Sequence, residues 1–456
     1  MKLMGSSSFS SVPNSIAALT PELQKQYKML QIYGFFWWGF YSYFLVFQPL
    51  YLAKLGFTLS EIFVNAALSP ILSLFFENSW SKFVDSFQKI KIFIILGNVI
   101  LSIVSFLTIY ANSFLWVLLL TVFLRLGPNP DYLTTTLVYR LSDKCYLCVQ
   151  NDPVEKKFHN INVYALFRRF GSIGWALFLP FMGLLVNQVG LGINFLIASI
   201  GFLGISLYFW KVVDEKLILS KSMPLNPVST SIHSEMNKYP SISVHREQTV
   251  SLLSSLRSLF HNKLYFGFLV ASLLYSVAYF STYQVQGLFY NLFAHDNYFE
   301  LVLIYSIAAA VEFPFMTMIA RQVKKIGWEK MIIWVYVFTG VRLGCMPFII
   351  LFGGNIFWGY LIQIFTGILF GFRWPTTTFG IYVSLPDNQK AIGQTFFSTL
   401  SLLGTFLGNL LGAILVSMTI TQTDAFLLIH WVAGVIGILS GLCFWLFLKK
   451  SDGLIK

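Results

Sequence analysis

Apolar runs of about 20 residues, the length at which a helix crosses a lipid bilayer, recur along this chain from residue 30 almost to its end. Twelve spans are read, at 30–52, 60–80, 90–110, 114–138, 163–187, 191–211, 263–290, 299–320, 330–352, 355–380, 390–418 and 424–448. The rhythm is interrupted once, from Val213 to Asn262, where Ser, Pro, Lys, Glu and His take over and predict a mostly flexible linker. Its closing stretch, SLLSSLRSLFHNK, has apolar residues at helical spacing and reads either as a surface helix or as an extension of the seventh span. The expected organisation is a polar tail (1–29), a six-helix bundle (30–212), the linker (213–262), a second six-helix bundle (263–448) and a short tail (449–456). Met1–Lys28 is Ser-rich and lacks the apolar core of a cleavable signal, so it reads as a cytoplasmic tail.

Composition agrees with lipid as the solvent. Of 456 residues, 56% are hydrophobic and 11% charged, against about 25% charged in an ordinary soluble domain. A water-soluble enzyme, a disordered chain and a disulfide scaffold are excluded on that ground. Charge then orients the spans. Apart from Lys54 and five arginines within spans, every one of the 31 Lys and Arg residues falls on the side of the termini, which places both termini in the cytoplasm by the positive-inside rule. The net charge of +12 is therefore a topology signal, and its scatter over separate loops gives no nucleic-acid stripe. The expected setting is a cell membrane, with lipid as partner.

Ionisable residues inside spans each cost about 2.5–3.5 kcal/mol at a helix centre, so they face a protein interior or a wet path. Arg125, Arg168, Arg169, Arg342, Arg373, Glu77, Asp131 and Glu312 are of this kind and together predict a central cavity. Arg169 reads equally as a residue snorkelling to headgroups, and Glu77 as an anchor for the charged stretch SKFVDSFQKIK. In that stretch, read as a loop from Ser81 to Lys91, Asp85 is a candidate gating residue that caps a neighbouring helix end, or else a solvated charge.

The two halves carry a faint repeat. NPDYLTTTLVY in span four and FRWPTTTFGIY in span ten superpose through Thr134–Thr136 and Thr376–Thr378, setting Asp131 against Arg373. Duplicated halves with a midplane site between them are a recurrent transporter plan. Gly404, Gly408 and Gly412 lie on one face of span eleven and predict close helix packing or a gate. Cys145 and Cys148, with His159 nearby, form a lone C-x-x-C with no second pair, so free thiols are expected and no metal site. His430 reads as a hydrogen-bonded packing residue. No phosphate loop, nucleophile elbow or cofactor motif occurs, and neither an enzyme nor a cofactor is expected.

Span five then supplies a more specific string. FRRFGSIGWALF resembles the fifth helix of the oligosaccharide:proton symporters, the lactose permease branch of the major facilitator superfamily. Arg168 takes the arginine position of that pattern and Trp175 the tryptophan, seven residues on and so on the same helix face. A guanidinium can donate paired bonds to vicinal hydroxyls while an indole packs on the apolar face of a pyranose. Pro128 and Asp131 match the proline and acid of the branch's fourth helix, Asp replacing Glu, and Arg342 in VRLGC matches its ninth-helix arginine. The resemblance implies an all-α membrane protein of the major facilitator fold, with twelve transmembrane helices in two pseudo-symmetric bundles. It implies transport of a sugar, in particular a di- or oligosaccharide, with Asp131, Arg168 and Trp175 as solute contacts, to which the in-span charge of Arg373 adds a guanidinium able to bond a solute's hydroxyls or carboxylates.

Its coupling machinery departs from the pattern. Thr366 and Leu369 stand where the lactose permease has a tenth-helix His and Glu, and Phe280 and Tyr283 stand near the places of two seventh-helix acids. Glu312 paired with Arg342 is the remaining candidate for a coupling proton. A carrier of another small solute, such as a nucleoside or aromatic acid, and a facilitative uniporter stay open beside the sugar symporter.

Overall fold

The computed structural model describes residues 19–87, 89–147, 153–219, 259, 261–385 and 389–452. Its long elements are all helical. In the first half these are α1 (Pro21–Lys54), α2 (Leu59–Phe87), α3 (Ile90–Thr108), α4 (Phe114–Leu126), α5 (Pro130–Leu147), α6 (Pro153–Val189), α7 (Gly192–Val212) and the short α8 (Glu215–Leu219). The second half has α9 (Lys263–Ala294), α10 (Tyr298–Ile326), α11 (Trp328–Cys345), the short α12 (Pro347–Leu351), α13 (Ile356–Ser384), α14 (Lys390–Ser417) and α15 (Gln422–Asp452). Among the described residues, ten helical stretches are long and apolar enough to span a membrane. Helix α1 and the broken pair α4 and α5 complete the twelve crossings of an integral, multi-pass membrane protein.

Local chemistry explains where these helices start. Thr20 caps α1, accepting from the Leu23 amide, and Pro21 opens the helix where its missing N–H costs nothing. Ser113, Asn262, Asn297 and Asn355 cap α4, α9, α10 and α13 in the same way. Span four breaks at Gly127–Asn129 because Pro128 and Pro130 cannot donate the bonds of a continuous helix.

Three boundary expectations are corrected. The first helix begins at Pro21 and not near 30, since its cap lies upstream of the apolar run. The stretch from Ser81 to Lys91 is not a loop, because α2 continues to Phe87 and α3 starts at Ile90. Asp85 thus sits in the last turns of α2, and its side chain, like that of Glu77, lies outside the described set. The linker begins docked: Lys91 Nζ donates to the Val213 carbonyl at 2.7 Å, Lys144 Nζ to that of Leu217 at 2.8 Å, and the Asp214 amide to Gln26 at 2.9 Å. Most of the amphipathic stretch before Asn262 falls outside the described residues, as do Cys148 and the side chains of Cys145 and His159.

Packing inside the halves is repeated. Helix α1 packs on α6 and α7, and α3 on α7; correspondingly α9 packs on α14 and α15, and α11 on α15. The halves meet where α6 crosses α10 and α2 crosses α14, two contacts that the pseudo-twofold relation exchanges. At the face opposite the termini they are drawn together by polar bonds. Asn187 Nδ2 donates to Asn297 Oδ1 at 2.9 Å, and the Tyr298 amide donates back to Asn187 Oδ1 at 2.8 Å. The glycine stripe of α14 divides its duty. A Cβ at Gly404 would lie 2.7 Å from Ser276 Cβ and one at Gly408 2.6 Å from the Val277 carbonyl, both on α9, whereas Gly412 abuts Phe63 of α2 across the seam.

Candidate functional site

A cavity of about 540 Å³ lies between the halves, walled by residues of both and within the range of small-molecule sites. Arg168 and Trp175 line it together, as their shared helix face requires. The Arg168 guanidinium lies 3.9 Å over the Trp38 indole of α1, and the Trp38 and Trp175 rings are 6.1 Å apart. A guanidinium over a ring still carries all its N–H donors. None of them has a hydrogen-bond partner among the described residues, so they are donors available to a solute.

Asp131 is placed differently from expectation. Its carboxylate accepts from Trp38 Nε1 at 3.1 Å and stands behind that indole, which is what meets the cavity. The acid of span four therefore orients the platform on which Arg168 rests, and its negative charge also acts on Arg168. Trp38 was not singled out by the sequence. Its neighbour Trp37 is buried and donates to Asn98 Oδ1 at 2.9 Å, so adjacent tryptophans serve core and cavity separately.

On the opposite wall Arg373 is only 9% exposed. Its guanidinium lies 4.2 Å over Tyr275 and 4.9 Å from the Trp374 ring, and Tyr275 in turn stacks on Tyr336 at 4.5 Å. Its contacts are this aromatic column. Glu312 lines the cavity from α10, buried, with Oε1 unpartnered and with Ser172 beside it across the seam. The structure does not bring Glu312 and Arg342 together. Arg342 donates to Thr366 Oγ1 at 3.0 Å, and the guanidinium whose charge reaches Glu312 is Arg168 of α6. Arg125 joins the wall through a 2.7 Å bond from Nε to Ser69 Oγ. Arg169 points elsewhere, toward the Phe313 ring at 5.4 Å. His430 is fully buried against the Phe426 carbonyl at 2.7 Å, a packing role. Among the described residues no cluster of His, Cys, Asp or Glu could hold a metal ion.

Two pseudo-symmetric helical halves around a charged, aromatic cavity define a transporter of the major facilitator type. Residues 27–428 match the MFS_1-like family, and the chain belongs to it. Its fold is similar to that of the nucleoside transporter NupG, at TM-score 0.67 and 16% identity over 93% of this chain and 99% of that one. A point mutant of NupG gives TM-score 0.69 at 15% identity, over 92% and 99% of the two chains. A bacterial homologue of the human lysosomal transporter Spinster, in an inward-facing and unoccupied conformation, gives TM-score 0.62 at 12% identity, over 94% and 98%. No curated protein sequence matches.

Proposed function

We propose that this transporter carries a hydroxylated ring solute of the sugar class, di- or oligosaccharide in particular, across the plasma membrane by alternating access, with both termini in the cytoplasm. The observation that carries the reading is Arg168: a guanidinium over the Trp38 ring, its donors without a partner among the described residues, with the Trp175 indole on the same wall. Vicinal hydroxyls can take the paired N–H groups while Trp175 covers the apolar C–H face of the ring. Glu312 is the candidate for a coupling proton, since a buried acid with a free oxygen and an arginine in reach can exchange a proton as that arginine turns to solute.

The test is counterflow of labelled sugars in proteoliposomes, with and without an imposed pH gradient. Arg168→Ala should abolish uptake in protein that still folds in membranes, and Trp175→Tyr should keep part of the affinity that Trp175→Ala loses. Full uptake by Arg168→Ala removes the assignment. A second reading, a nucleoside carrier, is favoured by the aromatic wall of Tyr279, Phe280, Tyr283 and Phe370, against which a base can stack, and by the likeness in fold to NupG. Competition by nucleosides and not by sugars would select it.

A further inference from the structure

Charge is unevenly matched around the cavity. Arg125, Arg168 and Arg373 line it, with Arg342 one layer behind at Thr366, while Glu312 is the one acid on the wall among the described residues. Both acids nearby serve the same partner, since Asp131 and Glu312 each feel the charge of Arg168. Arg373 has neither. It is only 9% exposed, makes no hydrogen bond among the described residues, and is held by ring faces alone, Tyr275 at 4.2 Å and Trp374 at 4.9 Å. A guanidinium at such depth is ordinarily paired, because desolvation without a counter-charge costs several kcal/mol. Aromatic faces meet part of that cost but supply no negative charge, and Arg373 lines the cavity.

We propose that the solute carries one oxyanionic group, a carboxylate or a phosphate, and that Arg373 receives it on the wall opposite Arg168. This rests on the reading of the cavity as a sugar-class site and narrows it to an acidic sugar. Arg168 takes hydroxyls because its charge is already answered by Asp131 and Glu312, whereas Arg373 takes charge because no acid among the described residues answers its own. The two walls then hold a solute by its ends, and an anionic one supplies Arg373 with the counter-charge it lacks among the described residues.

The experiment uses the full-length protein in proteoliposomes and solutes matched except in charge: glucose and maltose against glucuronate, glucose 6-phosphate and maltobionate. An acidic member should move with a KM at least about tenfold below its neutral partner, the scale of one charge-assisted bond. Arg373→Gln should erase that preference by raising the KM of the acidic member at least about tenfold more than that of its neutral partner, and Arg373→Lys should keep part of it. Equal or better transport of the neutral partner overturns the proposal, as does an Arg373→Gln variant that loses neutral and acidic flux alike, the signature of a gate or packing role. Inhibition by inorganic phosphate as strong as by glucose 6-phosphate would show a separate anion site and also overturn it. If no member moves, the sugar reading fails, and iodide quenching of Trp374 fluorescence, with Trp374→Phe as blank, judges the anion site independently. Saturable quenching lost in Arg373→Gln supports the site, and quenching unchanged in that variant removes it.

Discussion

Adjacent tryptophans in span one show how finely roles are divided between residues. Trp37 turns inward and satisfies Asn98, while Trp38 presents its face to Arg168 and its N–H to Asp131. Trp38→Phe should therefore weaken solute affinity several-fold, by losing the Asp131 bond while keeping a ring under the guanidinium. Trp38→Ala should cost about tenfold or more, from a desolvated cation–π contact of about 2 kcal/mol. Competition binding in detergent measures both, and equal losses in the two variants would show that the ring face contributes nothing. Arg168 and Trp175 were legible from their seven-residue spacing and the string around them. Trp38 was not, because an aromatic-dense span offers many equivalent rings and only the crossing with α6 selects one.

Among the helices, periodicity located nearly every crossing, and capping residues account for the starts it misplaced. The break in span four and the run of α2 past Ser81 escaped it. Hydropathy registers how apolar a window is and not whether the backbone ladder continues through it, so a proline pair inside an apolar run, or a helix that leaves the membrane still wound, is invisible to it. Small residues told more. Gly408 of α14 sits against the Val277 carbonyl, so Gly408→Leu should lower the thermal unfolding midpoint in detergent, in keeping with an overpacking cost of about 1–3 kcal/mol. Gly412→Leu, at the seam with Phe63, should affect transport more than stability. The same variant pair, assayed by uptake and by thermal unfolding, separates packing inside one half from contact between halves.

For the molecule as a whole, the seam is where transport must be visible. Asn187 and Asn297 bind the halves at the face opposite the termini, and the alternating access proposed above requires them to part. An Asn187→Cys, Asn297→Cys double variant should lose uptake on oxidation and regain it on reduction, whereas undiminished uptake with the cross-link formed would mean that this face never opens. The packing partners repeat across the halves and a cavity lies where they meet, the arrangement on which such a motion can act.

What the chain determined alone was its solvent, its crossings, the twofold organisation and the arginine–tryptophan face of span five, because these depend on composition and on spacing along one helix. Which acid meets which arginine was decided only by the tertiary structure. Asp131 serves Trp38, Glu312 answers Arg168 and not Arg342, and Arg373 is left to aromatic rings. Those pairings join helices far apart in sequence, and the crossing of one helix on another sets them, a quantity that no local pattern encodes.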